Sequence, residues 1–345
     1  MMIILNGENG GGQMLRTALA LSTITKKPFR MINIRKKRPQ PGLKKQHLAC
    51  IKAFEHLFKC KVINKNIGSE EIEFYPGELK AKRLNIDIET AGSITLFLQS
   101  LLLPCFVNGN SIIIKVIGGT DVKFSMPFDY FNEIILPHYK RFSEYKMILN
   151  KRGFYPKGNG SVELKILKHN KNFIKKVDLT QKGNLEIIKG ISIASKELEH
   201  KNVAQRQAYA ASNYFLKLKK PIKIETMYYE TKDIGSSITL WALFSKNDDI
   251  DYFNPMKTGA DYLGEKHISS EKIGENAAKK LYENIVNEFY CDEHLADNLI
   301  PIMSLIGGKI KTNKITEHIL NNINVCEKFT KTKFEIKNNI IYTLN

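Results

Sequence analysis

Apolar and polar positions fall in short blocks along the chain, and the period changes from block to block. Met1–Leu5 is an apolar run that stops at Asn6-Gly7, and Gly10-Gly11-Gly12 follows. From Gln13 to Thr25, Leu15, Ala18, Leu19 and Ser22 recur at helical spacing. The opening unit therefore predicts strand, glycine loop and helix. Phe29–Arg35 predicts a strand. After Pro41-Gly42, the segment Leu43–Phe58 places Leu43, His47, Cys50, Ile51, Phe54, Leu57 and Phe58 on one helix face. Lys61–Asn64, Glu71–Tyr75 and Leu84–Glu89 predict strands.

The order then recurs. Thr90-Ala91-Gly92-Ser93 leads into an apolar helix, Ile94–Phe106, then a strand, Ser111–Ile117, and the loop Gly118-Gly119-Thr120-Asp121. A helix over Phe128–Phe142 follows, with strands near Lys146–Lys151 and Val162–Leu167. A shorter copy closes the chain: helices His294–Leu305 and Glu317–Phe329 among strands Lys309–Thr312, Phe334–Ile336 and Ile340–Thr343. This pattern predicts an internal repeat in three copies. The third copy is displaced by a stretch with strands Glu186–Ala194, Ile222–Glu230 and Ser237–Phe244 and a helix Ala204–Leu216. The expected organisation is one repeated domain, residues 1–183 and 271–345, interrupted by an inserted α/β domain, 184–270. Glu271–Phe289, helical in period, is expected to return the chain to the main body.

Composition narrows this little. The 345 residues carry 53 Lys+Arg against 35 Asp+Glu, a formal net charge of +18, which favours a polyanionic partner. The five cysteines lack metal-site or paired spacing, so buried reduced thiols are expected. Ile94–Val107 is the most apolar stretch and is too short to span a bilayer. A soluble, cytoplasmic protein with no membrane partner is expected; the sequence does not give the oligomeric state.

Candidate chemistry gathers around the glycine loop. Gly10-Gly11-Gly12 between strand and helix serves either as a tight packing turn or as an anion seat. It is neither a Walker A loop nor a dinucleotide fingerprint. Gln13 and Arg16 share a face of the first helical turn, and an amide beside a cation suits phosphate. A second basic cluster is Arg35-Lys36-Lys37-Arg38, then Lys44-Lys45-Gln46-His47. Such runs are usually solvated. The break at Pro41-Gly42 is able to bring Arg35, Arg38 and His47 to one sheet end, with Arg35 closing its strand.

Taken together, several segments resemble the RNA 3′-terminal phosphate cyclases. They are Gly10–Arg16, Ile34–His47, Thr90–Ser93 with Gln99, Gly118–Asp121 with Pro127–Tyr130, Arg152–Gly158 and His294–Asn298, in that order over most of the chain. The resemblance implies an α/β (α+β) fold: three repeats of paired helices on a four-stranded sheet, with a smaller inserted α/β domain. It implies an enzyme that uses ATP and a divalent metal, Mg2+ or Mn2+, to close an RNA 3′-phosphate into a 2′,3′-cyclic phosphate. A histidyl-AMP intermediate and an RNA-adenylate would lie on the path. His318 matches the nucleophile. Gln99, Tyr130, His294, Asp297 and Asn298 match nucleotide-binding positions; Tyr130 either offers a ring face to adenine or is a core tyrosine, and Asp297 either contacts ribose or adenine or caps or pairs locally. Gln13, Arg16, Arg35, Arg38, Gln46 and His47 match positions at the RNA end and its phosphates. The implied partners are RNA with a 3′-phosphate and ATP.

The chain departs from the family pattern in places. Asn9 stands where a metal-binding glutamate is common, which leaves Glu8 or Asn9 as the metal ligand; His294 stands where a tyrosine is usual and Asn298 where a glutamine is usual. These departures keep open a second reading, a non-catalytic cyclase-like protein that binds RNA in ribosomal RNA processing.

Overall fold

The computed structural model describes residues 1–167, 174–246, 249–251, 254–287 and 289–344. The first unit runs β1 (Ile3–Asn6), α1 (Gly11–Thr25), β2 (Phe29–Ile32), α2 (Lys45–Phe58), β3 (Lys61–Ile63) and β4 (Ile72–Tyr75). Its sheet is ordered β1-β2-β4-β3, with β1 parallel to β2 and both other pairings antiparallel. Buried Phe29 and Phe74 stack at 5.5 Å on its covered face. β2 ends at Ile32 because Asn33 and Arg35 take left-handed φ angles of 55° and 56°. Arg35 therefore sits in a turn, not at the end of a strand as its sequence suggested.

The second unit runs β5 (Arg83–Asp87), α3 (Ile94–Val107), β6 (Ile112–Gly118), α4 (Phe128–Tyr130), β7 (Tyr145–Lys151) and β8 (Gly160–Ile166). Its order, β5-β6-β8-β7, and its pairing directions match those of the first sheet. The Ser93 hydroxyl caps α3 by accepting from the Leu96 N–H at 3.2 Å. α3 is apolar all round because α1, α2 and its own sheet cover it. The helix expected over Phe128–Phe142 is not one α-helix. A π turn (Phe131–Ile135) and a 3-10 segment (Leu136–Arg141) follow α4, and Pro137 near the junction has no N–H to continue the ladder.

The third sheet begins with a strand that its sequence did not announce, β9 (Val177–Leu179). An inserted unit follows: β10 (Asn184–Ser195), α5 (Val203–Phe215), β11 (Ile222–Tyr229), β12 (Ser236–Ser245), β13 (Lys257–Leu263) and α6 (Ser270–Val286). Its sheet is ordered β11-β10-β12-β13. α6 packs on α5, β12 and β13, so it belongs with this sheet and not with the main body. The reason is its face: Ile273, Ala277 and Leu281 are buried there, and at Gly274 a β-carbon would meet the backbone of Gln207 on α5. The predicted end of that helix touches residue 288, outside the described residues. The chain then completes the third sheet with α7 (Glu293–Ile306), β14 (Gly308–Lys311), α8 (Glu317–Phe329), β15 (Lys333–Lys337) and β16 (Ile340–Leu344). Its order, β9-β14-β16-β15, again gives one parallel and two antiparallel pairings.

α1 is the common element, since it packs against α3 of the second unit and α8 of the third. The candidate site forms at its N-terminal end. A buried ion-pair network holds the inserted unit against the second. Arg152 donates to Asp121 at 3.1 Å and to Asp129 at 2.7 Å, Ser237 of β12 donates to Asp121 at 2.9 Å, and Tyr229 of β11 faces the guanidinium at 5.1 Å. All five cysteines are free thiols. Among the described residues no helix is long and apolar enough to cross a membrane.

Candidate active site

His318 stands in the first turn of α8, which Thr316 caps through its hydroxyl. Its Nδ1 meets Gln13 Oε1, and Gln13 Nε2 donates to Asp297 Oδ1. The polarity of this chain follows from its far end. An ionised carboxylate only accepts, so the Gln13 amide must turn its NH2 group to Asp297 and its oxygen to His318. Nδ1 of His318 therefore carries the proton, and Nε2 keeps its lone pair. Asn322 steadies the carboxylate, donating at 2.8 Å, and Thr17 donates to Asn322 at 2.6 Å. Burial pushes Asp297 up to about 6, against the opposing pull of Gln13, Arg16, His294 and Asn322. Burial, then Arg16 and Arg38, holds His318 below the ordinary imidazole value. The ring is neutral at pH 7 and nucleophilic at Nε2.

Across from it lies the glycine loop. Gly11 has φ +54°, and a β-carbon there would sit 3.6 Å from Arg38 Nη2. A β-carbon on Gly12 would collide with His47 Nε2 and approach Arg16 Nη1 to 3.2 Å. Bare backbone thus lets three cationic or donor groups close on the N-terminus of α1. His47 is buried, and burial with Arg16, Arg35 and Lys44 lowers its pKa to about 3. Its Nδ1 accepts from the Lys44 N–H at 2.9 Å, so the proton lies on Nε2 and points at the loop. Arg38 is exposed, and its guanidinium has no hydrogen-bond or ion-pair partner among the described residues. Arg35 is spent differently: its Nη1 donates to the carbonyls of Gln40 and Gly42 at 3.1 and 3.0 Å, closing its own loop. Gln46, the residue before His47 on α2, lines a cleft whose other walls come from the second unit and the inserted unit.

The other expected nucleotide residues divide by exposure. His294 is exposed at the start of α7, and Tyr130 meets it edge-on at 5.8 Å. Tyr130 itself is fully buried, with its hydroxyl donating to Asp292, so neither ring face is open to an adenine. Gln99 and Asn298 are paired to each other at 2.9 Å, and Asn298 donates to the His294 carbonyl at 2.8 Å. They brace α7 against α3 behind Asp297.

The metal expectation meets an obstacle. Lys37 Nζ donates to Asn9 Oδ1 at 2.8 Å and lies 3.7 Å from Glu8. A cation of the protein already takes both oxygen donors, and only one of them is charged. No group of three His, Cys, Asp or Glu side chains among the described residues is arranged to hold a metal ion. These residues do not fit a divalent cation.

Two functional positions escaped the sequence. Asp292 caps α7, accepting from the His294 and Leu295 N–H groups at 3.0 Å, and also accepts from the Gly259 N–H of β13 at 3.2 Å. An aspartate just before a periodic helix is a cap signal, but its reach to the inserted unit has no sequence signature. Lys37 was hidden inside a run of like charges.

A neutral, oriented histidine faces a cation-lined glycine loop, an arrangement whose charge suits a phosphorylated ligand. The family model for RNA 3′-terminal phosphate cyclase matches residues 7–336. The chain is 38% identical over 344 residues to an RNA 3′-terminal phosphate cyclase of Pyrococcus furiosus, covering 98% of this chain and 96% of that protein. One from Pyrococcus abyssi is 37% identical, covering 97% and 95%, and one from Saccharolobus islandicus is 38% identical, covering 97% and 96%. The chain belongs to the RNA 3′-terminal phosphate cyclase family.

Proposed function

We propose that the chain closes RNA 3′-phosphate ends into 2′,3′-cyclic phosphates with ATP as the energy donor, through His318. Nε2 attacks the α-phosphorus of ATP, the N–P bond forms, the α–β bridging P–O bond breaks, and pyrophosphate leaves. Gln13 keeps the Nδ1 proton in place throughout, so no proton need leave the ring. An oxygen of the RNA 3′-phosphate then attacks the same phosphorus and frees His318. Finally the 2′-hydroxyl oxygen attacks the 3′-phosphorus, loses its proton and expels AMP. Arg16, Arg38 and the His47 Nε2–H supply the donors for phosphate oxygens at the loop. His294 supplies the exposed ring for the base, and Tyr130 holds it. The proposed body comprises residues 1–183 with the C-terminal unit, the insert extends from Asn184 through α6, and the setting is the cytosol.

The observation that carries this reading is the Asp297–Gln13–His318 chain, which presents one nitrogen of a neutral imidazole. Labelled ATP should give an acid-labile, base-stable protein–AMP adduct that His318→Ala abolishes. Folded wild-type protein that forms no adduct refutes it. The ammonium of Lys37 between Glu8 and Asn9 favours the second reading, an RNA-binding relative without catalysis. Salt-sensitive RNA binding without any adduct would select that one.

A further inference from the structure

A cleft of about 840 Å³ opens between the second unit and the inserted unit, and the reaction above does not use it. One wall starts at Gln46, next to His47, and passes Gly92 and Ser93; the other holds Gly264, Glu265 and Lys266. The cleft therefore begins at the residue before His47, whose Nε2 lies against Gly12 of the glycine loop. Large apolar side chains stand at it bare to water: Phe124 is 99% exposed, Tyr155 74% and Ile234 64%. Isolated exposed hydrophobes are ordinary, but three around one cavity are not. Phe124 also has φ +63°, a left-handed conformation that bulky residues rarely adopt. Strain that holds a phenyl ring away from the core is unexplained by packing.

The charges around the cleft suit a polyanion. Lys44 and Lys45 immediately precede Gln46 and have no ion pair among the described residues, and neither has Lys266, which lines the cleft. The acids on the walls are engaged: Asp121 by Arg152 and Ser237, and Glu265 by Lys123 at 3.2 Å. Aromatic faces beside cations are the means by which proteins hold unpaired nucleotides, since every base has a face to stack.

We propose that this cleft receives the unpaired nucleotides that precede the RNA 3′ end, with bases on Phe124 and Tyr155 and the backbone along Lys44, Lys45 and Lys266. The inference rests on the reading that the 3′-phosphate sits at the glycine loop, and it adds a requirement that the end be single-stranded over several nucleotides. The probes are a fluorescent single-stranded hexaribonucleotide with a 3′-phosphate and, as competitor, a 3′-phosphorylated dinucleotide, without ATP. In Phe124→Ala/Tyr155→Ala the hexamer affinity should fall about tenfold or more, and dinucleotide affinity should change less than twofold. Thermal melting serves as the fold control, because both side chains are exposed. The inference is overturned if the hexamer binds the double variant within twofold of wild type. It is equally overturned if the dinucleotide loses as much, or if wild-type protein does not bind the hexamer; a cleft that serves another protein instead gives the first of these results. Adduct formation by the wild type from ATP alone tests the catalytic reading separately, so failure of one is distinguishable from failure of the other.

Discussion

Removing the amide of Gln13 should disable His318 without touching it. Gln13 is 4% exposed, and its side chain makes two contacts that matter, to His318 Nδ1 and to Asp297. A hydrogen bond between neutral groups contributes about 0.5–1.5 kcal/mol net, and one to a charged group about 1.5–3 kcal/mol. Losing the first in the transition state slows adenylylation roughly 2- to 13-fold at about 1.4 kcal/mol per decade. Losing the second frees both tautomer and ring orientation, so Gln13→Ala should be slowed about tenfold to a hundredfold in all. Gln13→Glu separates orientation from charge. The new carboxylate still accepts from Nδ1, but it stabilises the imidazolium. His318 is depressed in the wild type by burial and by Arg16 and Arg38, and its reactive form is the neutral one. The acidic limb of the wild-type rate therefore lies below the ordinary imidazole value, and Gln13→Glu should move it upward in pH. Single-turnover formation of the protein–AMP adduct, followed across pH 5 to 9 (a span of about four units), measures both effects. A Gln13→Ala rate within twofold of wild type, or an unmoved limb in Gln13→Glu, refutes the reasoning.

Other outcomes follow from the same groups. Asp297→Asn should raise the melting temperature above pH 6 while slowing adenylylation. The raised carboxyl contributes stability below 3.8 that is lost as pH rises through about 6, roughly 3 kcal/mol at most, and the amide has nothing to lose there. Arg152→Met should cost about 3–5 kcal/mol in denaturant unfolding, because Asp121 and Asp129 would be left buried and unpaired. Mn2+ alone, read by its paramagnetic resonance, should bind the protein no tighter than about 1 mM, and Lys37→Ala should tighten it by releasing Glu8 and Asn9. His138 is buried without a hydrogen-bond partner for either ring nitrogen among the described residues, and burial, then Arg141 and Lys257, drives its pKa well down. Its contribution is present above the unfolded imidazole value and lost as pH falls, so His138→Leu should flatten the fall in melting temperature between pH 6.5 and 5.

Most helices were legible because their apolar spacing is set locally. α8 was read at Glu317–Phe329, the bounds it has in the structure, and α3 was plain from a strongly apolar run broken only by Thr95, Gln99, Ser100 and Pro104. What failed depended on partners distant in sequence. β9 has three residues and is a strand only because β14 lies beside it. β13 contains Gly259 and Asp261 and lacks strand propensity; β12 imposes its conformation. α6 has a helical period whichever body it joins, so its sequence gave no reason to prefer the insert. The site divides the same way. Gln13 and Arg16 were singled out because they sit beside a glycine loop, and His47 because it ends the basic cluster after Pro41-Gly42. Tyr130 stayed between a stacking and a core reading because a buried and a stacking tyrosine look alike in sequence, and Arg35 was misplaced because no pattern reveals that Gln40 and Gly42 would absorb its donors.

The cations of the site are graded by their cost of desolvation, and this grading orders their use. Arg38 is exposed and its guanidinium has no partner among the described residues, so it meets an incoming phosphate in water, where its attraction is screened and reversible. Arg16 is lowered by burial and has its Nε buried with no hydrogen-bond partner among the described residues, so it is already stripped of water. An anion that reaches it gains far more per contact, because the desolvation of the cation is already complete in the folded protein. Arg38 should then govern the rate of capture and its salt dependence, while Arg16 governs the step at His318. Arg38→Ala should weaken RNA or ATP binding most at low ionic strength, and Arg16→Ala should lower the adenylylation rate at saturating ATP at any salt. Identical salt dependence in the two variants would contradict this division, since it predicts that only the exposed guanidinium competes with ions in solution.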